Sequence, residues 1–125
     1  MSKRISIKVG QVQATAVLND TATARAIWDA LPLKAKASTW GDEIYFPVLV
    51  VMEEEGAQEL VSMGDIAYWP PGRAFCIFFG PTPVSEGDEI RPASPVKVVG
   101  SIEGDPTVFR STPAGVEVTL ERFSV

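Results

Sequence analysis

Any chemistry in this chain must proceed without histidine, because the sequence contains none. That removes Ser-His-Asp and Cys-His activation of a nucleophile, histidine acid–base catalysis and histidine metal ligands. Cys76 is the single cysteine and lies within "AFCIFF". It has no thiol partner for an internal disulfide and no imidazole to ionise it, so it reads as a buried, inert thiol. The remaining candidates fall in two aromatic-rich stretches. In "WGDEIYF" (Trp40 to Phe46), Glu43 and Tyr45 share one face of a strand, and Ile44 and Phe46 share the other. On the surface Glu43 is an ordinary carboxylate. Turned into a pocket, its pKa would rise with burial and it would become a general acid.

In "GDIAYWPPGRAFCIFFGPTP" (Gly64 to Pro83), Tyr68 and Trp69 stand just before a rigid Pro70-Pro71-Gly72 turn. Each ring carries a polar handle, a combination suited to a binding surface or to a rim that caps the core. Arg73 follows the turn, where it can clamp a carboxylate, polarise a carbonyl or simply pair with an acid in solvent. Phe75, Ile77 and Phe79 alternate with Cys76 and Phe78; the plain expectation is that most of these side chains are core, and the alternative is that some line a shallow groove on the barrel wall. Thr82 and Ser85 offer hydroxyls from a loop. The run Glu53-Glu54-Glu55 reads as a charged turn without the spacing of a calcium loop. The candidate ligand-binding set is therefore Glu43, Tyr45, Tyr68, Trp69, Arg73, Phe79 and Thr82. No metal site and no cofactor are expected.

The elements that must position these residues are mostly short strands. "RISIKVG" alternates Ile5, Ile7 and Val9 with Ser6 and Lys8, and "QVQATAVL" continues after Gly10, which predicts a hairpin. Asn19, Asp20 and Thr21 supply helix-capping candidates. Ala24, Ile27, Trp28 and Leu31 then fall on one helical face, which Pro32 ends, so a principal helix is expected near residues 20–31 with Ile27 and Leu31 toward the core. "EIYF", "VLVVM", "ELVSM", "DIAYW", "AFCIFF", "VKVVGSIEG" and "TVFRST" read as further strands, with Pro47 marking a bulge or an edge. "VEVTLERF" has the clearest alternation in the chain. Many short strands with one helix predict a mainly β, closed antiparallel barrel, which leaves few sticky edges.

The chain has 125 residues and reads as one domain, residues 1–125. Its net charge of −5 argues against nucleic acid as a partner. The basic N-terminus lacks the apolar run of a signal peptide, and "FPVLVVM" is too short to span a bilayer. With a single cysteine, these features fit a cytoplasmic protein without a membrane partner.

"LPLKAKASTWGDEIYF", "GDIAYWPPG" and "FFGPTP" together resemble the small bacterial and archaeal cyclophilin-like proteins, over nearly the whole chain. The resemblance implies a cyclophilin-like barrel with a helix covering an open end. Larger cyclophilins isomerise prolyl peptide bonds with an arginine on a barrel strand, a glutamine, aromatic residues that cradle the proline and a histidine at the pocket edge. This chain lacks the histidine and a matching arginine-strand motif, so efficient isomerase activity is not expected. The function expected instead is binding of a small molecule or short peptide. A weak peptidyl-prolyl isomerase and a homo-oligomeric interaction module, with a homodimer as its default, are the alternatives.

Overall fold

A computed structural model describes residues 3–52 and 56–123. The Glu53-Glu54-Glu55 run lies outside the described residues. The chain opens with the expected hairpin, β1 (Lys3–Val9) and β2 (Val12–Leu18), in which Val9 pairs with Val12. Gly10 takes φ +59° at the first position of the two-residue connection, where a side chain would be strained. Ile5, Ile7 and Val9 are buried while Arg4 and Lys8 face water, as period-two alternation requires.

The helix α1 (Ala22–Ala30) begins two residues after Asp20 and ends just before Leu31. Thr21 is its cap: the hydroxyl accepts from the Ala24 N–H at 3.1 Å and donates to Asn19 Oδ1 at 2.7 Å. Ala24 and Ile27 are buried against the barrel. Trp28 and Leu31 are half-buried at the edge of the same cluster, so Leu31 flanks the core without being enclosed by it. The Arg122 guanidinium lies 4.6 Å from the Trp28 ring centroid and donates to the Trp28 carbonyl, which ties the end of the helix to the barrel.

The other strands are β3 (Leu33–Lys36), β4 (Ser38–Thr39), β5 (Glu43–Pro47), β6 (Asp65–Trp69), β7 (Ala74–Phe78), β8 (Lys97–Ile102) and β9 (Glu117–Arg122). They form one antiparallel sheet in the order β3-β9-β1-β2-β8-β6-β7-β5-β4. The two ends of this list are consecutive in the chain. Residues 33–39 form a ribbon that pairs with β9 through β3, passes Ala37, and pairs with β5 through β4. That exchange of partners brings the sheet round into a nearly closed barrel. Ile5, Ile7, Ile44, Phe46, Ile66, Phe75, Ile77, Val118 and Leu120 fill its interior, with the Phe46 and Phe75 rings stacked 5.3 Å apart.

Three expected strands take other forms. "TVFRST" lies in a 3₁₀ helix, Pro106–Ser111, because Asp105 accepts from the Thr107 N–H at 3.0 Å and Pro106 fits the first helical position. "VLVVM" leaves the ladder after Pro47, with the Val48 N–H still donating to the Arg73 carbonyl at 2.9 Å, and it keeps the alternation: Val48 and Val50 are buried, Leu49 and Val51 exposed. "ELVSM" makes one isolated bridge, Val61 to Ile90. No helix among the described residues is long and apolar enough to cross a membrane.

Candidate functional site

The wall made by β5, β7 and β6 has two apolar faces. On β5, Ile44 and Phe46 point inward and Glu43 and Tyr45 outward. The register sets Tyr45 beside Cys76 and Cys76 beside Ala67, and it sets Glu43 beside Phe78. Cys76, Phe78 and Ala67 therefore share the outer face with Glu43, yet all are buried. The chain that covers them comes from residues 90–96 rather than from the helix. Ile90 and Val96 join Ala67, Cys76 and Phe78 in a second, smaller apolar cluster, with Tyr45, Val61 and Trp69 at its margin.

Between this cover and the wall lies a cavity of about 300 Å³, lined by Trp40, Glu43, Tyr45, Trp69, Pro92, Ala93 and Val96. Trp40 enters from the bend before β5, where its N–H donates to the Glu43 carbonyl at 2.9 Å. Trp69 is the last residue of β6, and its indole N–H donates to Ser94 Oγ at 2.6 Å. That bond fixes the ring against the covering segment and occupies its only donor, so Trp69 offers the cavity an apolar face. Asp42 and Gly80 anchor the rim: the Asp42 N–H donates to the Pro81 carbonyl, and the Phe79 N–H to the Asp42 carbonyl, both at 2.9 Å. A side chain at position 80 would collide with Asp42, which is why glycine stands there.

Glu43 is the one ionisable carboxyl on the cavity wall, and it is 6% exposed. Loss of hydration pushes its pKa up to about 7, against a smaller lowering by the Cys76 thiol, which donates to it. Of the two placements the sequence allows for Glu43, surface or pocket, the fold gives the pocket. Burial first, then the Glu43 charge and their hydrogen bond, hold the Cys76 thiol protonated well above its ordinary range. That agrees with the inert thiol expected from its neighbours, since a thiolate is the reactive form.

The cavity collects Glu43, Tyr45 and Trp69 from the expected set and leaves out four others. Tyr68 faces the barrel interior, 1% exposed, and its hydroxyl donates to the Val50 carbonyl at 2.6 Å. Adjacent strand residues point to opposite faces, so Tyr68 and Trp69 cannot both border the cavity. Phe79 is also interior, 6.3 Å from the Phe109 ring. Arg73 closes the Pro70–Gly72 3₁₀ turn with φ 47°, and its side chain is exposed and outside the cavity lining. Thr82 is buried, but it is used to build the loop: its hydroxyl bonds the Arg91 carbonyl, and its N–H donates to Ser85 Oγ at 2.9 Å. Ser85 Oγ also accepts from the Arg91 N–H at 3.0 Å. Pro92, Ala93 and Val96 escaped sequence reasoning because they are remote in the chain and carry no chemical signal. Trp40 carried one, as an aromatic beside a turn glycine. Among the described residues no group of three or more acidic or thiol side chains is placed to hold a metal.

The sequence matches the family described as cyclophilin-like over residues 3–121. The chain belongs to the cyclophilin-like family. Its barrel is similar to the solution structure of a hypothetical protein from Archaeoglobus fulgidus, with a TM-score of 0.84 and 41% identity. That match covers 98% of this chain and 95% of the other. No curated protein matches the sequence. The cyclophilin-like assignment accounts for the barrel and its helix, while the cavity's chemistry rests on the residues described above.

Proposed function

We propose that this cyclophilin-like barrel binds a small molecule or a short peptide in the cavity outside β5, β7 and β6. One observation carries the reading: a concavity of about 300 Å³ in which three aromatic rings converge on a buried carboxyl. Mostly apolar walls with a single placed polar group are the usual composition of a small-ligand site. Isomerisation asks for a cationic donor beside the proline grip. The cavity's lining residues supply an acid and no cation, so binding is the better supported of the two readings.

Heteronuclear NMR with a fragment and short-peptide panel tests the proposal. Binders are expected to shift the signals of Glu43, Tyr45, Trp69 and Val96 together, and Trp69→Leu should weaken them at least tenfold. Shifts that map elsewhere, or an absence of binders, overturn it. A protease-free assay on a prolyl tetrapeptide is expected to show no turnover; turnover abolished by Glu43→Gln would move the reading from binder to enzyme.

A further inference from the structure

We infer that the ligand class of this cavity is an organic cation, an alkylated ammonium group held by the faces of Trp40, Tyr45 and Trp69 and neutralised by Glu43. The inference rests on the proposed binding role of the same cavity. Aromatic faces carry negative potential, and a cluster of them around one site attracts cations in the order Trp, then Tyr and Phe. Two of the three rings here are tryptophans. Trp69 has its N–H committed to Ser94, so the indole is not free to meet an occupant as a hydrogen-bond donor that would favour an anion. The wall has no cationic residue to compete: beyond the rings and Glu43 it consists of Pro92, Ala93 and Val96. A bulky ammonium with methyl groups suits such walls, because its charge is spread over an apolar surface that water solvates weakly.

Glu43 adds a dependence on pH. The free carboxyl is held up to about 7 by burial, and a cation beside it favours its ionised form. Binding of a permanently charged ligand therefore releases a proton below that midpoint. Its affinity rises about tenfold between about pH 6 and about pH 8 and then levels. The groups that face Glu43 leave this assignment simple. From β7 the ionisable neighbour is Cys76, whose thiol burial holds protonated, and on β5 itself it is Tyr45. From the covering segment and β6 come Pro92, Ala93, Val96 and Trp69, none of which titrates.

The test compares choline with its uncharged carbon isostere, in which a tert-butyl group replaces trimethylammonium, by NMR titration of the intact protein. Choline is expected to bind at least tenfold tighter at about pH 8, with shifts at Glu43, Tyr45 and Trp69, and to show the tenfold pH dependence. Glu43→Gln keeps size and an acceptor for the Cys76 thiol; it should flatten the pH profile and remove most of the preference for charge. Trp40→Leu, at the half-exposed rim, should weaken choline and spare the isostere. Equal binding of the two ligands, or a flat profile in the unsubstituted protein, overturns the cation assignment while the cavity stands as a binding site. Failure of both ligands to bind also overturns it, and the fragment panel then judges the binding role separately.

Discussion

The inner and outer faces of the β5-β7-β6 wall both carry aromatic rings and come to opposite ends. Inward, Ile44, Phe46, Ile66, Tyr68, Phe75 and Ile77 meet other apolar side chains from every direction, and the one polar atom among them, the Tyr68 hydroxyl, is spent on Val50. Outward, Ala67, Cys76 and Phe78 are covered by a single segment that leaves Glu43, Tyr45 and Trp69 with an unfilled space. A closed barrel packs its interior by geometry, since every strand contributes to it. The outer face is packed only where a loop happens to lie, and incomplete cover is what makes room for a ligand. A ring's place in this wall is therefore decided by its parity along the strand, and its chemical type comes second.

The largest expected effect belongs to the inner face. Phe75→Ala should lower folding stability by about 3–5 kcal/mol in denaturant titrations, because the ring is fully enclosed and stacked on Phe46. A loss below about 1 kcal/mol would erase the contrast between the faces.

Glu43→Gln gives the next largest effect, with a sign that depends on pH. The folded protein holds the Glu43 proton more tightly than the unfolded chain does, up to about 7 against an ordinary 4.5. This group's contribution to stability is therefore greatest at low pH, falls across that window and is constant above it. Relative to the unsubstituted protein, the amide should gain up to about 3 kcal/mol near pH 8 and little near pH 4, read as the difference between two stability–pH curves. An unchanged difference across that range would mean that the outer face is wet enough to leave the carboxyl unperturbed.

Arg73→Ala should change stability by less than about 0.5 kcal/mol and leave ligand affinity unaltered, since the side chain touches neither face. A loss of affinity would extend the site past the Pro70–Gly72 turn and sharpen the outer boundary of the cavity.

Much of the fold was legible in the sequence. Alternation in β1 and β9 marks Ile5, Ile7, Val118 and Leu120 as buried, and the spacing of Ala24 and Ile27 marks the helix face. The pairing of Glu43 with Tyr45, and of Ile44 with Phe46, is also correct as read. What alternation leaves open is which face looks inward and what lies over the other one. Tyr68 and Trp69 look equivalent as a sequence pair, and only the barrel's inside distinguishes them. The cover over Glu43 depends on a segment about fifty residues downstream, held by Thr82, Ser85 and Arg91 through local hydrogen bonds that no hydrophobic period reports. "TVFRST" departs from expectation for a related reason: its β-branched residues suggest a strand, but Asp105 and Pro106 cap a 3₁₀ turn that buries Phe109.

The ribbon at residues 33–39, which passes from β9 to β5, bears on how the molecule assembles. Its first half can settle only on β9, which in turn needs β1 from the opposite end of the chain, with Leu33 opposite Leu120 and Ile7 opposite Leu120 on the other side. Its second half can settle on the neighbouring β5 through a short local bend. The ring therefore joins one of the most local pairings in the protein to some of the most distant. Chain entropy must be surrendered for the distant ones before they return any contact energy. Such high contact order places folding among slow β topologies, with times of roughly milliseconds to seconds, and makes closure of this ribbon a natural late step.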